Sequence, residues 1–161
     1  MSAVPAISPR FRVFDQAAII DSAKFFAKAL KEQGLDVKGD PAISYTETHQ
    51  VIVGVGYGEG PEIAERLERN NIIVNYQATP DEEGFTASGA LRMGMSEMVR
   101  FGFGHADFEK LAELMADCIL RNKDIKEEVI ALRSQHLDMQ YCFTDAEFEK
   151  ALGKLSTLIQ K

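Results

Sequence analysis

Arg92 stands inside the apolar and small run ALRMGM, within the longer stretch FTASGALRMGMSEMVRFGFG that covers residues 85–104. A guanidinium keeps its charge at any physiological pH, so a strand that carries one into a buried setting must also bring an anion. Two sources of that anion are open. One is structural, an ion pair with a carboxylate of the same chain such as Glu97 or Asp117. The other is functional: a planar fork that takes the carboxylate or phosphate of a ligand through two parallel N–H···O bonds, a geometry Arg matches better than Lys. The glycines beside it allow a backbone to approach such a ligand closely.

Other residue types capable of chemistry are scattered. His49, His105 and His136 lie far apart, with no Cys or carboxylate at metal-ligand spacing, so no metal centre is expected. His105 opens a helix and His136 lies near the end of another, which leaves His49, on the approach to the run QVIVGVG, as the histidine that could face a site. Cys118 falls inside an amphipathic helix with no basic neighbour to generate a thiolate and reads as a small core residue. GVGYGEG, residues 54–60, lacks the G-x-G-x-x-G register from either Gly54 or Gly56 and has no Lys-Ser/Thr pair after it, so it reads as a strand-to-helix turn rather than a nucleotide loop. The acidic run at 81–83 stands out because it lies in the connection leading to Arg92; the run KDIKEE reads as solvated surface.

The elements that would position these groups follow from periodicity. Residues 8–37 read as a long helix carrying Phe14, Ala18, Phe25, Ala29 and Leu30, stopped at Gly34. ISYTETHQVIVGVG and IIVNYQAT read as strands around the helix GPEIAERLERNN, with Pro61 in its first turn and Glu62 at its positive end. ALRMGM is a third strand, and SEMVRFGFG a turn of helix and a loop. HADFEKLAELMADCILRN presents Phe108, Leu111, Leu114, Met115 and Ile119 on one stripe. KDIKEEVIALRSQHL follows as a further helix. TDAEFEKALGKLSTLIQ opens with Thr144 and Glu147 in capping-box spacing and carries Phe148, Leu152, Leu155 and Ile159. The simplest architecture is an α+β, two-layer unit: a small, mainly antiparallel sheet covered by helices on one face.

The whole chain, 161 residues with 45% hydrophobic and 27% charged residues, is long enough for one domain with a core of its own. A formal charge of −7 argues against nucleic acid or an anionic membrane as the main partner. No leader-like stretch and no apolar run near about 20 residues is visible, which points to a cytoplasmic protein.

The segment SGALRMGMSEMVRFGF resembles the serine hydroxymethyltransferase family, in which Ser-Gly, an apolar stretch, Arg, an apolar residue and Gly are followed some residues later by Arg and an apolar-flanked Gly. The long helix, the strand entered through Thr-x-x-His as in TETHQVIVGV, and the Ile-x-Val-Asn strand as in NIIVNYQATP occur in the family's order. The resemblance covers roughly residues 7–137. It implies the C-terminal small domain of an aminotransferase-type, fold type I pyridoxal phosphate enzyme, formed by residues 1–143 and joined by an additional helix, 144–161, packed on it.

In that family the arginine at the position of Arg92 binds the α-carboxylate of the amino acid substrate; His49, Asn75, Gln77 and Ser88 become candidates for lining the same site. The resemblance assigns no catalytic and no metal-binding residue to this chain. It implies that pyridoxal phosphate is held by a large domain or subunit carrying the Schiff-base lysine, with tetrahydrofolate as a further ligand, serine/glycine interconversion as the reaction, and no activity for this chain alone. The expected partners are that large domain, the amino acid, and a second copy through the exposed docking face. The alternative is a non-catalytic binding or interaction module that kept the small-domain fold.

Overall fold

The computed structural model describes residues 16–79, 82, 84, 87–139 and 145–159. Phe14, Cys142, the Thr144 end of the expected capping box, and Pro80, Asp81 and Glu83 lie outside the described residues.

Among the described residues six α-helices and four strands follow in the order α1 (Gln16–Glu32), β1 (Asp36–Lys38), β2 (Gln50–Gly54), α2 (Gly60–Arg69), β3 (Asn75–Gln77), β4 (Ala90–Gly94), α3 (Ser96–Arg100), α4 (His105–Arg121), α5 (Lys126–Arg133) and α6 (Asp145–Ile159). The sheet order is β1-β2-β4-β3 and every neighbouring pair is antiparallel. β2 and β3 therefore run parallel, joined by the α2 crossover, with β4 inserted between them. Valines and large apolar side chains alternate toward the helices: Val51, Val53, Leu91 and Met93 are buried, while Ile52, Arg92 and Gly94 face the other way. The helices cover one face, as the periodicity implied.

α1 ends where expected. Gly34 adopts φ +91°, and the Leu35 amide returns to the Leu30 carbonyl at 3.1 Å, closing the last turn. Of the expected α1 stripe Ala29 and Leu30 are buried, but the phase differs at the phenylalanines: Ala23, Phe26 and Ala27 are fully buried, whereas Phe25 is half-buried and stacks on the His105 ring at 4.0 Å. Two adjacent phenylalanines leave the phase ambiguous in sequence, and packing against α4 decides it through the Phe26–Phe108 contact at 5.4 Å. α4 keeps its expected stripe, with Phe108, Leu114 and Met115 buried and Leu111 and Ile119 at its margins. Cys118 is wholly buried, as a core residue should be.

Buried Asn70 ties α2 to the helices. Its Nδ2 donates to the Arg66 carbonyl at 2.9 Å and its Oδ1 accepts from the Ile125 amide at 2.8 Å, so a polar side chain in the core is satisfied on both sides.

Three expectations change. β1 was not anticipated, since only Val37 of its three residues is apolar and buried. The strand expected from residue 43 onward begins only at Gln50: Pro41–Ile43 forms a short 3₁₀ turn capped by Asp40, and Ser44 and Tyr45 both take positive φ. The C-terminal helix forms as α6, but Phe148, Leu152 and Leu155, the described residues of its expected stripe, are about half exposed.

Candidate functional site

The open face of the sheet is built by register. Arg92 of β4 lies between Ile52 of β2 and Asn75 of β3; two pairs along, Gly94 lies opposite Gln50, and two pairs in the other direction Ala90 lies opposite Gly54 and Gln77. Because side chains alternate, Arg92, Asn75 and Gln77 share the face that the helices leave uncovered. The absence of side chains at Gly54 and Gly94 keeps the surface around Arg92 low. At Gly54 a Cβ would crowd Asp36 Oδ2 and the Lys38 side chain, themselves paired at 2.8 Å on the same face.

Arg92 is exposed, and among the described residues no carboxylate pairs with it. This corrects the premise of burial and removes an ion pair with Glu97 or Asp117 as its explanation. Asp117 is engaged by Lys123 at 2.8 Å and by Arg121. These two cations, Lys123 foremost, hold its carboxyl below the usual range. Glu97 is exposed at the start of α3; it shares with Arg92 the rim of a cleft of about 430 Å³ that opens where the β3 ladder ends, without pairing to it.

The other candidates divide along β4. Asn75 lies opposite Arg92, and Gln77 lies opposite Ala90 on the same face. His49 lies at the Gly94 end: its carbonyl accepts from the Met95 amide at 2.9 Å, and its exposed ring edge sits 3.5 Å from where a Gly94 Cβ would be. Ser88 lies beyond the opposite end and lines a shallow hollow of about 520 Å³ with Tyr57, Gly58, Pro61, Tyr76, Gln77 and Ala87. His49 and Ser88 are thus separated by the length of the strand, and the five residues do not converge on one point.

The sequence reading missed the role of the glutamate in the 81–83 run. Glu82 Oε2 accepts from the Thr79 amide at 2.7 Å and the Gly89 amide at 2.9 Å. The Thr79 amide is the main reason its carboxyl lies below the usual range. The signal was the placement of the run, which marked it as unlike ordinary surface charge but gave no partner. Among the described residues, no group of three or more His, Cys, Asp or Glu could hold a metal ion, and no helix is long and apolar enough to cross a membrane.

The family model for serine hydroxymethyltransferase matches residues 2–115. The chain belongs to the serine hydroxymethyltransferase family. Within it, the serine hydroxymethyltransferase of Pyrobaculum aerophilum is 37% identical over 131 residues, 79% of this chain and 30% of that protein. The serine hydroxymethyltransferase of Saccharolobus islandicus is 38% identical over 148 residues, 88% of this chain and 34% of that protein. This member therefore spans about a third of the length of the curated relatives it matches. Among solved structures, an L-threonine transaldolase from Pseudomonas fluorescens superposes with a TM-score of 0.63 at 28% identity, over 73% of this chain and 26% of that one. The fold class expected from the resemblance, a small antiparallel α+β unit similar to part of a fold type I pyridoxal phosphate enzyme, is the one observed.

Proposed function

We propose that residues 1–143 are the small domain of a serine hydroxymethyltransferase-like pyridoxal phosphate enzyme, with residues 144–161 as an appended helix, and that Arg92 binds the substrate α-carboxylate. The observation that carries this reading is the state of Arg92: an exposed guanidinium on the uncovered sheet face, without a carboxylate partner among the described residues. A bidentate fork in that position is ready for an external carboxylate, and Asn75 and Gln77 stand beside it as neutral hydrogen-bonding groups. Their lack of charge suits the site, because a neighbouring acid would compete with the ligand and a second base would trap the product.

The same residues fit a cofactor-bound amino acid better than the cofactor itself. The described open face offers one unpaired arginine and two amides for a small carboxylate. Its lysine, Lys38, is engaged by Asp36. The lysine that would hold pyridoxal phosphate thus belongs to a further domain, on the same chain or another, that packs against this face. When bound, pyridoxal phosphate supplies an electron sink for cleavage of a bond at the substrate Cα. Arg92 would fix the carboxylate and so orient the Cα bond to be broken relative to the cofactor, a positioning contribution rather than proton transfer. Serine/glycine interconversion with tetrahydrofolate as one-carbon carrier is the finer form of the proposal, and this domain alone is then inactive.

The test is affinity capture from native extract with this chain as bait. A stoichiometric partner, or a longer form of the same protein, that bears a cofactor lysine, absorbs as bound pyridoxal phosphate and cleaves serine supports the reading. A colourless species that nevertheless binds free glycine through Arg92 replaces it with a binding module.

A further inference from the structure

The neighbours of Arg92 on β3 are held in register by little of their own. Asn75 and Tyr76 are exposed and Gln77 is half-buried, so no buried side chain of the strand opposes a slip, and the ladder is three residue pairs long. A one-residue slip would turn Asn75 and Gln77 away from the Arg92 face. β4 is different. Five residue pairs bind it to β2, and Leu91 and Met93 are buried beneath it.

The device that fixes β3 lies in the connection between the two strands. Glu82 Oε2 accepts at once from the Thr79 amide, two residues past the end of β3, at 2.7 Å and from the Gly89 amide, one residue before β4, at 2.9 Å. One carboxylate oxygen therefore ties the exit of β3 to the entry of β4. The β4 entry is itself anchored, since the Gly89 carbonyl accepts from the Val55 amide at 2.8 Å and the Ser88 carbonyl from the Gly60 amide at 2.9 Å. Gly89 has to be glycine, because a Cβ there would overlap Glu82 Oε1 and lie 2.8 Å from the Gly56 carbonyl oxygen. With one end fixed, the clamp acts on the other, and what it holds is β3.

We propose that Glu82 is a positioning residue for the carboxylate site, setting the register that places Asn75 and Gln77 beside Arg92. Its functional half rests on the proposed role of Arg92; its structural half does not. The two are tested separately.

Glu82→Ala and Glu82→Gln are compared in the full chain by amide hydrogen exchange over residues 75–77, with thermal unfolding recorded for each. Loss of two charge-assisted bonds is expected to speed exchange there about tenfold or more in Glu82→Ala. Glu82→Gln, which retains one acceptor oxygen, falls between, and the unfolding temperature changes little because β3 is an edge strand. In the cofactor-bearing enzyme, Glu82→Ala is expected to raise KM for serine about tenfold with kcat within about twofold, as loss of ground-state positioning does. Unchanged exchange at 75–77 overturns the clamp whatever Arg92 does. Faster exchange with unchanged KM overturns the positioning role. A parallel fall in kcat and unfolding temperature marks Glu82 as a general structural residue and overturns it too. If Arg92→Ala itself leaves KM intact, it is the reading of the site that fails, and the exchange result still decides the clamp.

Discussion

Replacement of Arg92 separates a ligand-binding arginine from a structural one. Exposed and free of a carboxylate partner among the described residues, Arg92 contributes little to folding, so Arg92→Ala is expected to change stability by no more than about 0.5 kcal/mol. The effect on substrate should be far larger. Two N–H···O bonds to an ionised carboxylate are worth about 1.5–3 kcal/mol each, and some of that is shared with Asn75, Gln77 and water, so a net loss of about 3 kcal/mol is reasonable. At about 1.4 kcal/mol per tenfold, kcat/KM for serine falls by roughly two powers of ten. Arg92→Lys keeps the charge but loses the second bond and should recover about half of that free energy. The assay is steady-state serine cleavage by the cofactor-bearing enzyme, with urea unfolding of the same variants. An Arg92→Ala enzyme with kcat/KM within threefold of the parent would refute the assignment, as would a stability loss of several kcal/mol without a binding defect.

Other substitutions probe the scaffold. Gly60→Ala would drive a Cβ into the Ser88 carbonyl oxygen and to 2.9 Å from Tyr76 Cβ, so it should cost about 2 kcal/mol or more and lower the urea midpoint. Phe26→Ala removes a wholly buried ring from the α1–α4 contact and should cost about 3–5 kcal/mol by the same measurement. Asp117, its carboxyl held low by Lys123 and Arg121, contributes stability that is present above its ordinary value near 3.8 and is lost as pH falls through the lower folded value. Asp117→Asn should therefore be destabilising at pH 7 in urea titrations and approach the parent only below about pH 3.8.

Much of the fold was legible because its helices announce themselves. α4 has one long amphipathic stripe, α2 opens with Pro61, and α1 closes at Gly34, each a local signal with a local cause. What was illegible depends on partners distant in sequence. The phase of α1 turns on whether Phe25 or Phe26 meets Phe108, which only the α1–α4 packing decides. β1 is a three-residue, mostly polar strand that forms because β2 offers it an edge, whereas the strand read at residues 72–79 is present as β3 but holds only Asn75–Gln77. For the site, Arg92 was visible as a cation out of place, but the reason given for noticing it, burial, was incorrect. It lies on the face of β4 that the alternation of Leu91 and Met93 leaves to solvent. Asn75 and Gln77 reach its side through strand register, while His49 and Ser88, grouped with them by family pattern, fall at the two ends. Glu82 drew notice by position alone, since a carboxylate bonded to backbone amides leaves no residue-type pattern to read.

The central claim is that this domain supplies the carboxylate-binding arm of a pyridoxal phosphate enzyme, and a spectroscopic titration tests it most directly. The native species containing these residues would be isolated and its visible spectrum followed as glycine is added, for the parent and for Arg92→Ala. A yellow protein is expected in both, with the parent's spectrum shifting on glycine and the variant requiring roughly a hundredfold more. A colourless native species, or a variant that titrates at the parent's glycine concentration, would contradict the claim.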